Sequence, residues 1–115
     1  MKRVCALVLT LGVIVVGAGT GIAQAADPVD ADAAQALMKK SDCGKCHAVD
    51  KKKDGPAYKE TAAKYKGKAT AEDELYKHLT TSPKVKVDGK EEEHKAVNSK
   101  NEAEVRNLVR YILTR

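Results

Sequence analysis

The chain has no phenylalanine and no tryptophan, and its only aromatic residues are four tyrosines. A core filled by large aromatic side chains is therefore excluded. Methionine occurs twice, as Met1 and Met38, and cysteine three times, as Cys5, Cys43 and Cys46. No strand pattern of useful length is present. The alternation Lys84-Val85-Lys86-Val87 is too short to carry a sheet, and there are no internal repeats. Its one long apolar run, Val4–Val16, is shorter than the roughly 20 residues a membrane-spanning helix needs. The formal charge is +5, but lysines alternate with acids and no aromatics are set between them, so nucleic-acid binding is not indicated.

The start of the chain has the order of a secretory signal. Lys2 and Arg3 precede the apolar run, and Gly17, Gly19 and Gly21 lead into the small-x-small site Ala23-Gln24-Ala25. Residues 1–25 are expected to be cleaved and 26–115 to form one domain. Cys5 lies too early to be a lipid-attachment cysteine and leaves with the signal. Loss of Lys2 and Arg3 takes the formal charge from +5 to +3, a mild excess that suits docking to an acidic partner. The product is expected in the periplasm with no membrane span. So short a domain buries little and generally needs a staple, a metal or a large cofactor.

What is there is Cys43-Gly44-Lys45-Cys46-His47. Two thiols three positions apart, followed at once by an imidazole, form the attachment signature of c-type haem. The sulfurs can make thioethers to the two vinyl groups, and His47 then falls under the iron. Three other chemistries use similar residues. A thioredoxin-like pair needs a βαβ setting that is absent. Zinc wants four ligands, and two cysteines with His47, His78 and His94 meet that count. A plain disulfide suits an exported protein but leaves His47 without a role. Haem is the reading that accounts for export, helices and the scarcity of aromatics together.

Four helices are expected. The first covers about 30–40, with Asp30 as N-cap, Asp32 at the positive end and Lys39-Lys40 at the negative end. Ala33, Ala36, Leu37 and Lys40 follow its period. Residues 48–57 read as a loop, with Lys51-Lys52-Lys53 and the breaker pair Gly55-Pro56. A second helix covers 58–66 and stops at Gly67. Thr70 begins a third, with Asp73 at the capping-box position. Leu75, His78 and Leu79 share a face of it, and Pro83 ends it. A long connection to Lys100 turns at Asp88-Gly89. The last helix starts near Asn101 and carries Val105, Leu108, Val109 and Ile112 as its apolar stripe, with Tyr111 beside it. The class is all-α. Irregular connections this long are uncommon unless functional, so the segment from Ser82 to Lys100 needs a role.

With these features the chain resembles the small bacterial class I cytochromes c, from about Asp30 to Leu113. The resemblance implies one covalent haem c, wrapped by about four helices with the first and last packed together. It implies that Ala33 and Leu37 meet Leu108, Tyr111 and Ile112, and that the carbonyl of Pro56 accepts a hydrogen bond from proximal His47. It also implies an exposed haem edge for electron transfer; Lys45 and Lys51-Lys52-Lys53 read first as a solvated surface, and alternatively as a ring around that edge. The family places a methionine on the far side of the iron, and here the chain departs. Met1 is in the signal, and Met38 lies on the helix before the motif, where it is expected to pack. Counting back from the last helix puts His94 at or near the methionine position, in the connection that lacked a role. His94 is the expected sixth ligand, and His78 its rival.

The expected function is one-electron transfer between redox proteins by a monomeric, periplasmic, low-potential, bis-histidine cytochrome, not catalysis. Methionine ligation raises the potential, so a second imidazole lowers it relative to the family. The alternative is a binder or sensor of carbon monoxide or nitric oxide, which needs an open or displaceable sixth position.

Overall fold

The computed structural model describes residues 27–115. The expected signal segment 1–25 lies outside the described residues. In chain order come α1 (Ala31–Lys40), a single 3₁₀ turn (Cys43–Lys45), α2 (Tyr58–Tyr65), α3 (Ala71–Thr81), β1 (Lys84–Val87), β2 (Lys90–Glu93) and α4 (Glu102–Leu113).

Local chemistry explains the helix ends. The Asp30 carboxylate accepts the Ala33 N–H at 2.9 Å, and the Asn101 side chain accepts those of Ala103 and Glu104 at 3.0 and 3.4 Å, so both terminal helices have their first free donors satisfied. Helix α2 closes before Gly67, whose φ of +77° suits glycine. Helix α3 ends on Ser82 in the left-handed region, just ahead of Pro83. One expected cap differs. Thr70 precedes α3 but makes no side-chain cap bond. Its hydroxyl donates instead to the Glu74 carboxylate at 2.6 Å, and Asp73 pairs with Arg106.

Helix α4 is the hub against which α1, α2 and α3 pack. Ala34 and Leu37 of α1 join Val105, Leu108, Tyr111 and Ile112 of α4, with Tyr58 and Val97 completing the cluster. The buried position on α1 is Ala34, and the expected Ala33 is exposed. Ala34 and Leu37 are three apart on one face, whereas Ala33 faces solvent one residue earlier. A reciprocal lock fixes the crossing: the Asp30 N–H donates to the Asn107 side-chain oxygen at 2.9 Å, and the Asn107 amide donates back to the Asp30 carbonyl at 2.8 Å. Met38 packs partly buried against this cluster, as expected. On the α3–α4 side Arg106 bonds Glu102 at 2.7 Å, Asp73 at 3.0 Å and Glu72 at 3.3 Å, and its guanidinium lies 4.6 Å from the centre of the Tyr76 ring.

The connection after α3 is not irregular throughout. Strands β1 and β2 form an antiparallel hairpin, with Lys84 opposite Glu93, Val85 opposite Glu92 and Lys86 opposite Glu91. The expectation that no strand forms is corrected here. Asp88 and Gly89 both have positive φ (49° and +79°), the requirement of a tight two-residue hairpin turn, and opposite charges face each other across the ladder. The fold remains an all-α framework with one small hairpin leading to His94.

Candidate haem site

The attachment segment folds tightly between α1 and α2. The Cys43 carbonyl accepts the Cys46 N–H at 3.2 Å and the His47 N–H at 2.9 Å, so both cysteines and the histidine belong to one turn. The two cysteines are not joined by a disulfide. Burial raises the pKa of the Cys43 thiol. Among the described residues no group of three or more His, Cys, Asp or Glu is arranged to hold a metal ion.

The following loop returns to the histidine. The Gly55 N–H donates to the Cys46 carbonyl at 2.8 Å, and the Tyr58 N–H to the Ala48 carbonyl at 3.0 Å. This return sets the Pro56 carbonyl 2.8 Å from His47 Nδ1. Donation by Nδ1 leaves Nε2 as the lone-pair nitrogen, the tautomer a metal ligand needs. Gly55 is required by proximity: a Cβ there would stand 2.7 Å from His47 Nδ1 and 2.8 Å from Nε2. The Tyr58 ring stacks on the imidazole with 5.4 Å between centres and 22° between planes. Beside His47 opens a cleft of about 420 Å³, lined partly by Met38, Ala48, Val49 and Tyr58.

The other two histidines converge on the same region. The ring centres of His47 and His94 are 6.1 Å apart with planes at 48°. The His78 ring lies edge-on to His94 at 4.5 Å. His94 is half-buried in spite of its acidic neighbours Glu91, Glu92 and Glu93, which are exposed. Burial lowers its pKa, helped by the proximity of His78 and His47. Burial also lowers that of His78, helped by His47 and Lys64. Both rings thus favour the neutral form that binds metal. His94 Nδ1 is buried without a hydrogen-bond partner, an arrangement that calls for an external partner for the ring.

Backbone bonds hold the His94 segment in place. The His94 N–H donates to the Pro83 carbonyl, Val97 N–H to the Leu79 carbonyl, and Asn98 N–H to the Ser41 hydroxyl, each at 2.9 Å. The next residue, Lys95, turns outward and bonds the Asp42 carboxylate at 2.7 Å. That hydrogen bond, with the charge of Lys45, holds the Asp42 carboxyl below the usual carboxylate range. Sequence reading could not find this pair, whose members lie 53 positions apart.

The lysines are distributed unevenly. Lys45 pairs with Asp42 at 3.5 Å, and the Lys53 ammonium donates to the Gly44 carbonyl. Lys51 and Lys52 are exposed.

Four helices with the terminal pair crossed, and a Cys-x-x-Cys-His turn whose histidine is oriented by a proline carbonyl, define a small class I c-type cytochrome. The chain belongs to the cytochrome c family, whose model matches residues 31–115. It is similar to cytochrome c-551 of Pseudomonas aeruginosa, at 46% identity over 61 residues covering 53% of this chain and 56% of that protein. Against cytochrome c-551 of Azotobacter vinelandii the identity is 36% over 68% of this chain and 92% of the other. The chain spans about half the length of three of the curated cytochromes c-551 that it matches, the Pseudomonas aeruginosa protein among them. Among solved structures, the class 1 cytochrome MtoD of Sideroxydans lithotrophicus ES-1 superposes with a TM-score of 0.73 at 52% identity, covering 76% of this chain and 97% of that one. Wild-type cytochrome c552 of Nitrosomonas europaea superposes with a TM-score of 0.56 at 31% identity, covering 70% and 96%. The cofactor is one covalent haem c with its iron, and the motif at Cys43, Cys46 and His47 is consistent with it.

Proposed function

We propose that this protein is a periplasmic one-electron carrier whose iron is held by His47 and His94, at a potential below that of methionine-ligated relatives. The haem supplies the Fe(III)/Fe(II) couple. Cys43 and Cys46 anchor it covalently, and His47 is the proximal ligand, with Pro56 fixing its ring. The observation that carries the second ligand is His94: half-buried, 6.1 Å from His47 between ring centres, and with an unsatisfied buried nitrogen. Two imidazoles bound to one metal ion stand about 6 Å apart between centres, from two metal–nitrogen bonds of about 2 Å plus roughly 1 Å from nitrogen to centre in each ring. His78 lies edge-on to the His94 ring at 4.5 Å between centres and is the rival ligand.

Two side-chain ligands keep coordination alike in both oxidation states, which favours transfer of an electron over binding of a substrate. The Ala23-Gln24-Ala25 site supports cleavage and export, leaving residues 26–115 as a single domain. Among the described residues no helix is long and apolar enough to cross a membrane. Exposed Lys51 and Lys52 support encounter of the monomer with acidic redox partners, so transfer rates fall with ionic strength. The carbon monoxide or nitric oxide reading requires His94 to leave the iron, and the family membership does not favour it.

Visible and EPR spectra of the holoprotein test the ligand set. The wild type is expected to be low-spin with two imidazole ligands. That signature should vanish in His94→Ala and survive in His78→Ala; its persistence in His94→Ala would overturn the assignment.

A further inference from the structure

Lys95 directly follows His94, and Asp42 directly precedes Cys43. Their side chains meet at 2.7 Å. Asp42 adopts a left-handed backbone, φ 59°, fixed by donation of its N–H to the Lys39 carbonyl at 3.1 Å. Its carboxylate therefore stands at the end of α1, facing the loop that carries His94. Donation from the His94 N–H to the Pro83 carbonyl and from the Asn98 N–H to the Ser41 hydroxyl holds either end of this short stretch. Between them, Lys95 is the side chain that ties it to the attachment segment.

We infer that Asp42 and Lys95 form a latch across the two haem-bearing segments, and that it sets how readily His94 leaves the iron. This rests on the His47/His94 ligand set. The two groups act as positioning residues: neither touches the iron, but Lys95 cannot swing out with His94 unless the pair breaks. The side chains remain 64% and 42% exposed, so the pair is screened by salt. Exposed pairs of this kind contribute little individually, and the expected effect on ligand release is about two- to five-fold.

Carbon monoxide reads the release directly. It binds ferrous iron only after the iron–His94 bond breaks, and no electron is transferred. The rate of its binding to the reduced holoprotein should be measured in the wild type, Asp42→Asn, Lys95→Gln, Lys95→Arg, the double variant Asp42→Asn/Lys95→Gln, and His94→Ala. His94→Ala should bind fastest. Asp42→Asn and Lys95→Gln should each bind about two- to five-fold faster than wild type, the double variant no faster than the singles, and Lys95→Arg at the wild-type rate. Added salt should raise the wild-type rate toward that of Lys95→Gln. Wild-type rates in both single variants, with His94→Ala fast, would refute the latch and leave the ligand set standing. Additive effects in the double variant would also refute it, since the two residues would then act separately. A wild-type rate in His94→Ala would instead remove the ligand set, and the latch with it.

Discussion

At the scale of single residues, the attachment turn is built around the His47 ring. Pro56 accepts from Nδ1, Tyr58 stacks on one face, and Gly55 leaves the room the ring occupies. Replacing Gly55 with alanine forces the ring or the loop to move, because no neighbour in the contact is the free end of a flexible chain. Gly55→Ala should destabilise the holoprotein by about 1–3 kcal/mol, the usual scale for overpacking, and should perturb the low-spin spectrum by turning His47 away from Pro56. Thermal unfolding and visible spectra check both; an unshifted melting temperature with an unchanged spectrum would count against this account. The grouping of Cys43, Cys46, His47 and Pro56 was legible in the sequence because a short segment carries them, in motifs shared with a known family. The convergence of His78 on His94, and of Lys95 on Asp42, was not. Each requires α3, the hairpin and the attachment segment to be brought together first.

At the scale of elements, the helices were legible where a side chain closes an end. Asp30, Asn101, Gly67 and Pro83 each mark a boundary by local chemistry. The hairpin was not legible, because Lys-Glu-Glu-Glu has no apolar alternation and reads as solvated loop. Its ladder depends on Lys84 and Lys86 lying opposite Glu93 and Glu91, and on the backbone of Asp88-Gly89. The difference between Ala33 and Ala34 has a similar origin: α1 has several alanines, and only contact with α4 decides which is inside. The α1–α4 crossing is the element pair that places the motif turn. Leu108 is fully buried at its centre, and Leu108→Ala should cost about 2–5 kcal/mol, read from the midpoint of denaturant unfolding at constant slope. A loss below about 1 kcal/mol would show that α4 is not the hub.

At the scale of the whole molecule, the shortage of aromatic side chains defines how the fold holds together. Among the described residues the buried set consists of small and aliphatic residues and Ser41, with Tyr58 and Tyr111 as its aromatics. Apolar burial contributes roughly 25 cal/mol per Å², and conformational entropy costs about 1–2 kcal/mol per ordered backbone residue. In so small a domain these terms nearly cancel. Haem adds a large flat apolar surface, two covalent tethers to the chain and metal bonds that exist only when their ligands are brought together, and metal-linked binding energy of this kind is folding energy. The variant Cys43→Ala/Cys46→Ala, made without haem attachment, should therefore lose most of its helical circular dichroism and unfold without a cooperative transition. The helices would not persist separately, since segments of 8 to 12 residues are marginal in water. Retention of native-like ellipticity and a sharp melt in that variant would show that the α1–α4 core suffices alone. The expected collapse would place the cofactor within the core and make its attachment the step that completes folding.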